Sequence, residues 1–378
     1  MQTSEAKYPA LSYLISRARR RVPFFAWEYL ASGTGAERLV GENRAALDRV
    51  LLPPKVAQGR YQPDTSTSLF GQHYSVPFGA APVGMSGLIW PGAELLLARA
   101  ARENGFPYTL SMVANETPEA VAEAGGENAW FQLYPLKEPE IEDDLLARAA
   151  AAGIRTLVVT LDVPVGSRRE RQLAAGLTVP PKVTPLTLWR VAQRPVWALK
   201  TLQHGQPRFR TLENYFPASA MADSAKMVGT IVDGRPDWST VTRLRQQWRG
   251  NLVVKGLLQP EDAEKAIDCG ADGLVVSNHG GRQFDAARAS IDALPEVAEK
   301  VAGQVPVLFD SGALWGLDIL RALSRGADFC LLGRGFLYAV AALGEKGGDH
   351  AYSVLKQDLE NNMIQMGART LGDVKRHE

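Results

Sequence analysis

The sequence predicts an α/β protein, a (β/α)8 barrel of the TIM type with helices before it and a long insertion after its fourth strand. Three observations predict it. From about residue 76 onward, short β-branched and aromatic runs alternate with longer helical patterns, as in βα units around a parallel sheet. The runs number eight, as a closed parallel barrel requires. Polar and charged residues also gather at the C-terminal ends of successive runs, where barrels of this type place their chemistry.

The bulk properties are compatible with this fold. A chain of 378 residues, 46% of them hydrophobic, can bury a large core. Its 42 basic and 41 acidic residues nearly cancel, so no global field points to nucleic acid. Residues 1–75 read as an N-terminal helical segment, with helices over residues 8 to 50. The barrel is expected over 76–345, with strands at Phe78–Val83, Pro107–Met112, Ala129–Tyr134, Thr156–Asp162, Leu252–Gly256, Gly273–His279, Val305–Asp310 and Phe329–Gly333. Crossover helices fall between most of them. Glu94–Glu103 carries an apolar face, and Pro260 with Asp262 opens a helix ended by Gly270. The tail 346–378 reads as a terminal helix from about Gly348.

About 90 residues separate strands four and five, the insertion 171–240 among them, and a loop that long is usually functional or partly disordered. Cys269 and Cys330 lie 61 positions apart in apolar stretches, which predicts buried thiols rather than a disulfide or a metal site. The first residues lack a signal-peptide pattern and no apolar run approaches a membrane span, so a cytoplasmic protein, soluble or peripheral, is expected.

The strand ends carry the candidate chemistry. Strand three ends at Gln132 and Tyr134, strand four at Thr160 and Asp162, and strand five at Lys255. Strand six ends at Ser277, Asn278 and His279, with Arg282 just beyond; strands seven and eight end in Asp310-Ser-Gly312 and Gly333-Arg334. Buried charges are costly unless paired, so such a row at successive strand ends points to one site. A lone strand-end histidine is more often structural, and a lone lysine such as Lys255 more often pairs with a carboxylate. Only His279 of five histidines ends a strand, and Asp162 across the mouth offers it a carboxylate, which favours general-base chemistry. Gly312 and Gly333 alone signal ordinary turns. With Arg334 beside them they suggest a phosphate-bearing cofactor or substrate.

The run Ser277-Asn-His-Gly-Gly-Arg-Gln-Phe-Asp285 resembles the active-site signature of the flavin-dependent 2-hydroxy-acid oxidases and dehydrogenases, the family of glycolate oxidase, lactate dehydrogenase and mandelate dehydrogenase. The resemblance runs from about Tyr13 to the C-terminus through Tyr29-Leu-Ala-Ser-Gly33, Ala81-Pro-Val-Gly84, Trp130-Phe-Gln-Leu-Tyr134, Thr160-Leu-Asp162, Arg168-Arg-Glu170 and Val254-Lys-Gly256. It implies FMN as cofactor and oxidation of a small (S)-2-hydroxy acid to the 2-oxo acid. In that resemblance His279 is the base and Asp162 stabilises its imidazolium. Arg282, Arg169 and Tyr29 match the groups that hold the substrate carboxylate, and Tyr134 matches one that bonds the hydroxyl or developing carbonyl. Lys255 matches the cation near the flavin ring. Gln132, Thr160, Ser111 and the backbone of Pro82, Val83 and Gly84 look like flavin-ring ligands, Ser277 and Asp310 face the ribityl chain, and Gly312, Gly333 and Arg334 match the phosphate cradle.

Two features bear on substrate and electron acceptor. Many relatives carry an arginine for the FMN phosphate where this chain has Leu314, whereas Gly84 looks like the dehydrogenase choice at a position where oxidases often carry alanine. Val113 beside Met112, in place of a bulky aromatic, and the stretch Gly87-Leu-Ile-Trp90 suggest an aromatic or medium aliphatic acid, with lactate still open. The insertion from Arg171 to Leu212 has Arg171, Lys182, Arg190, Arg194, Lys200, Arg208 and Arg210 and no acidic residue, a charge of about +7. With Leu186, Trp189, Trp197, Leu199 and Phe209 it reads either as a basic amphipathic surface for anionic lipid, with quinone or another chain component taking the electrons, or as a lid or oligomer contact. The resemblance also implies a homo-oligomer, often a tetramer. An oxygen-using oxidase, a non-redox FMN barrel isomerase and a noncatalytic flavin or membrane-binding module are the competing readings. The arginine pair with Tyr29 argues against the isomerase, and His279 with Asp162 against the noncatalytic module.

Overall fold

Strands of this chain alternate between two apolar surroundings, and that alternation builds the barrel. The computed structural model describes residues 7–177, 184–216 and 229–375. Eight parallel strands pair in chain order and the last pairs with the first: β1 (Phe78–Ala80), β2 (Tyr108–Ser111), β3 (Ala129–Leu133), β4 (Thr156–Thr160), β5 (Asn251–Leu257), β6 (Gly273–Val276), β7 (Val307–Phe309) and β8 (Phe329–Leu332). Trp130, Val158, Val253, Val275, Leu308, Phe329 and Leu331 fill the interior of the barrel. Their chain neighbours Phe131, Leu157, Val159, Leu252, Val254, Leu274 and Val276 face the surrounding helices. The period of two turns one strand toward both cores, so the strands read as nearly continuous apolar runs.

The N-terminal end of the barrel is sealed. A hairpin, Thr67–Leu69 paired with Gln72–Tyr74, turns at Phe70 and Gly71, both with positive φ (54° and 76°), the twist that a two-residue hairpin needs. It sends Leu69, Phe70 and Tyr74 into the interior cluster. Tyr74 accepts a 3.3 Å hydrogen bond from the Trp130 indole and packs edge-on against Phe329.

Helices enclose the rest. Three of them, Leu11–Arg21, Phe24–Ala31 and Arg38–Arg49, precede the barrel. The first lies on Arg334–Leu343, where Arg17 and Arg21 donate to the carbonyl of Ala342 near its C-terminus, at 2.8 and 2.5 Å. The terminal helix Gly347–Met366 packs on Gly316–Ser324 and Arg334–Leu343. Cys330 is buried, but Cys269 is only half-buried, because it ends a surface helix rather than lying in a strand.

Several strands stop earlier than their sequence suggests. β1 ends at Ala80 rather than Val83, β4 at Thr160 rather than Asp162, and β6 at Val276 rather than His279. Beyond those points the backbone leaves the ladder, with left-handed conformations at Met85 and His279, and turns across the barrel mouth. β5 is the exception: it runs on to Leu257 through a register shift after Lys255.

Candidate active site

A cavity of about 880 Å³ opens at the C-terminal end of the strands, within the range of small-molecule sites. Its wall brings together Tyr29, Pro82, Val83, Gly84, Gln132, Tyr134, Thr160, Arg169, Lys255, His279, Arg282, Asp310, Gly312, Gly333 and Arg334. Three other expected site residues stand behind that wall. Asp162 backs His279, Ser111 donates to Gln132 Oε1 at 2.8 Å, and the Ser277 hydroxyl accepts from Lys255 Nζ at 2.7 Å and from the His279 amide at 3.1 Å.

The His279–Asp162 pair is built by backbone strain and one close approach. His279 has φ of 58°, a conformation rare for a residue with a side chain, and this turns its ring back over the mouth. Its Nδ1 lies 2.9 Å from Asp162 Oδ1. Asp162 reaches that position because residue 256 is glycine: a Cβ there would come within 2.6 Å of the Asp162 Cβ. A carboxylate partner fixes the proton on Nδ1 and leaves Nε2 with its lone pair free for substrate. Burial pushes the His279 pKa below 6.5 despite the opposing pull of Asp162, with Lys255 and Arg169 adding to the depression. Burial works to raise the Asp162 pKa, but His279 and Lys255 hold it below the usual carboxylate value. A neutral imidazole beside an ionised carboxylate is a competent general base at neutral pH.

Lys255 remains charged. Burial works to lower its pKa, yet Asp310 at 3.1 Å, together with Asp162, raises it above the ordinary lysine value. The expected carboxylate partner is Asp310, and the paired ammonium still lines the cavity.

Three arginines face the same space with no carboxylate within ion-pair distance among the described residues. Arg169, itself at a positive φ of 48°, donates to Ser167 Oγ at 2.9 Å and Gln283 Oε1 at 3.4 Å. Arg282 donates through Nη1 to the carbonyls of Tyr29 and Ser32 and lies 5.2 Å over the Tyr29 ring. Burial and Arg169 depress its pKa, which marks a place where an anion is stabilising. The Tyr29 hydroxyl donates to Gly84 O at 2.8 Å. Arg334 bonds the carbonyls of Leu30, Ser32 and Gly280 through Nε and Nη2. It opens the helix Arg334–Leu343, whose N-terminal amides favour a phosphate. Leu314 lines this end of the cavity without a charge, and Arg334 lines it with one.

The flavin-ring wall has polar atoms waiting for partners. Gln132 Nε2 and Thr160 Oγ1 are buried without a hydrogen bond among the described residues. A flat ring edged with carbonyl and imino groups satisfies a donor and a hydroxyl side by side, so the residues present fit FMN.

Two supports escaped the sequence reading. Ser311, at φ of 86°, accepts from the amides of Asn278 (3.3 Å) and Gly280 (3.0 Å) and donates to Asp310 at 2.7 Å. Asn43 and Asn278 exchange hydrogen bonds at 2.9 and 2.6 Å, tying the catalytic loop to the N-terminal helices. Neither role has a signal in sequence: Asn43 meets Asn278 across 235 positions, and Ser311 meets Asn278 and Gly280 only once the loop after β6 lies beside the end of β7.

The insertion is less uniform than its sequence suggests. Trp197 (4% exposed) and Phe209 are buried, and the Trp197 indole donates to the Leu88 and Ile89 carbonyls. Arg171 pairs with Glu28 and Glu37, Arg208 with Glu213, and Arg210 with Glu116, so acids from outside the counted stretch reduce its charge. Lys182 lies outside the described residues. Leu186, Leu188, Trp189, Leu199 and Leu202 remain exposed on the helices Pro185–Ala192 and Pro195–His204, Trp189 at 64%.

Comparison with known proteins converges on one family. The sequence model for FMN-dependent dehydrogenases matches residues 18–378. An L-lactate dehydrogenase of Xanthobacter autotrophicus is 38% identical over 361 residues, covering 95% of this chain and 93% of the relative. The crystal structure of the monotopic membrane protein (S)-mandelate dehydrogenase superposes with a TM-score of 0.91 at 33% identity, covering 98% of this chain and 97% of that one. A mandelate oxidase follows at a TM-score of 0.83 and 32% identity, with the same coverage of both chains. With its barrel closed and residues 18–378 matched, this chain belongs to the FMN-dependent dehydrogenase family.

Proposed function

We propose that this chain oxidises an (S)-2-hydroxy acid, mandelate-like or lactate-like, to the 2-oxo acid and passes the electrons to quinone or another acceptor. The observation that carries this reading is the His279–Asp162 pair, 2.9 Å apart, with His279 in the same cavity as arginines that have no carboxylate partner among the described residues. FMN supplies the two-electron acceptor. Arg169 and Arg282 hold the substrate carboxylate and so fix which carbon faces the flavin. His279 takes the substrate proton on Nε2, and Asp162 stabilises the imidazolium formed. The Tyr134 hydroxyl, its pKa pushed up to about 12 by burial and by Asp162, stays protonated and donates to the substrate oxygen. Lys255 keeps a positive charge in the cavity and would stabilise negative charge on a bound, reduced FMN. Gln132, Thr160 and the Pro82–Gly84 backbone seat the ring, and Gly312, Gly333 and Arg334 seat the phosphate.

Val113, Met85, Leu177, Phe209 and Val232 give the cavity an apolar side, which supports an aromatic or medium aliphatic substrate. Gly84 is also favoured by packing, since a Cβ there would meet Val113 Cγ2 at 2.7 Å and Val113 would have to shift. The preference for an acceptor other than oxygen therefore leans on the dehydrogenase relatives. The exposed apolar residues beside Arg190 and Arg194 support docking on the inner face of an anionic membrane, as does the monotopic relative. Among the described residues no helix is long and apolar enough to cross one. Homo-oligomeric assembly belongs to the same proposal.

The test is anaerobic absorbance of the FMN-loaded protein mixed in turn with S-mandelate, S-lactate and glycolate, then air. Bleaching by one acid and slow recovery in air are expected. A flavin that no 2-hydroxy acid bleaches would remove the substrate assignment, and fast recovery would make the enzyme an oxidase.

A further inference from the structure

The catalytic loop contains one more polar side chain whose bonding is incomplete. Gln283 lines the cavity one residue after Arg282, and its carbonyl Oε1 accepts from Arg169 Nη2 at 3.4 Å. A guanidinium only donates, so this contact fixes the amide orientation and turns Nε2 away from Arg169. Nε2 is buried and has no hydrogen-bond partner among the described residues. A buried amide donor left unpaired is destabilising, and an acceptor supplied by a ligand removes that cost.

The rest of the clamp is more committed than its residue types suggest. The Tyr29 hydroxyl spends its proton on Gly84 O, and Arg282 Nη1 is shared between two backbone carbonyls. A carboxylate offers about four lone-pair sites, which the free N–H groups of Arg169 and Arg282 can share with an amide donor beside them.

We propose that Gln283 is a direct ligand of the substrate carboxylate: Nε2 donates to one carboxylate oxygen while Oε1 holds Arg169 in place to bind the same group. This rests on the reading of the cavity as a 2-hydroxy-acid site. It makes Gln283 a residue that selects for a carboxylate at C1.

The experiment uses the FMN-loaded enzyme and two acids that lack the reacting hydroxyl, phenylacetate and propionate. Their binding is followed by the perturbation of flavin absorbance, alongside anaerobic flavin reduction by S-mandelate and S-lactate. Gln283→Leu is expected to weaken binding of the better-bound deoxy acid and to raise the substrate concentration for half-maximal reduction, each by about tenfold to a hundredfold. The limiting reduction rate stays within a few-fold. Gln283→Glu, close to isosteric, sets an anion beside the carboxylate and weakens binding further. It also carries the test if the leucine variant loses flavin. Binding within threefold of wild type in both variants overturns the proposal, as does a loss confined to the limiting rate. A wild type that binds phenylacetate or propionate but is reduced by no 2-hydroxy acid sinks the reaction assignment instead, while weakened binding in the variants would still support the carboxylate contact.

Discussion

The two ends of the barrel are made from the same eight strands and behave as opposites. At the N-terminal end the first strand residues meet a hairpin, and Phe70, Tyr74, Trp130 and Phe329 close the interior with aromatic contacts and one hydrogen bond. At the C-terminal end most strands stop early, and their continuations carry His279, Asp162 and Arg282 around a cavity that Lys255 reaches from within β5. Its polar atoms without partners among the described residues contrast with the packed end. Stability is concentrated where packing is complete, and chemistry where backbone and hydrogen bonds are left under constraint for a ligand. The two ends should therefore be separable by mutation.

The largest expected effect is at the mouth. His279→Gln should slow flavin reduction by a 2-hydroxy acid by about 10³- to 10⁴-fold, with FMN absorbance and the unfolding midpoint little changed, as read by stopped-flow absorbance and urea titration. A variant that instead loses flavin or stability would break the separation. At the sealed end the pattern reverses. Phe329→Ala removes a fully buried ring from the interior and should cost about 3–5 kcal/mol of stability, while reduction in the folded, FMN-loaded fraction stays within about twofold. A comparable loss of rate would mean that the sealed end also tunes the site.

Most of the fold was legible in sequence because the buried strands are short β-branched and aromatic runs at regular spacing. The strand ends were less so: nothing in Gly273–His279 reports that the ladder stops at Val276, since that depends on a left-handed residue chosen by tertiary contacts. Among the site residues, His279, Asp162 and the arginines were visible through their strand-end positions and their likeness to a signature. Their supports were not. Asn43 meets Asn278 from 235 positions away, and the closeness of Gly256 to Asp162 exists only once β5 lies beside β4. The insertion misled in a different way. Counting its charges took no account of Glu28, Glu37 and Glu116, which fold back onto it from other segments.

The most direct test of the His279–Asp162 device is the pH dependence of kcat/KM for flavin reduction in the wild type and in Asp162→Asn. Protonated His279 cannot accept the substrate proton, so the wild-type value should rise with pH through one ionisation below 6.5 and level off above it. Burial, Lys255 and Arg169 lower the His279 pKa and Asp162 raises it. Removing the carboxylate charge should therefore move the rise to still lower pH, while the plateau falls by about a hundredfold or more for want of a partner to the imidazolium. An acid limb that stays in place or moves to higher pH in Asp162→Asn would contradict the assignment of His279 as the base held by Asp162.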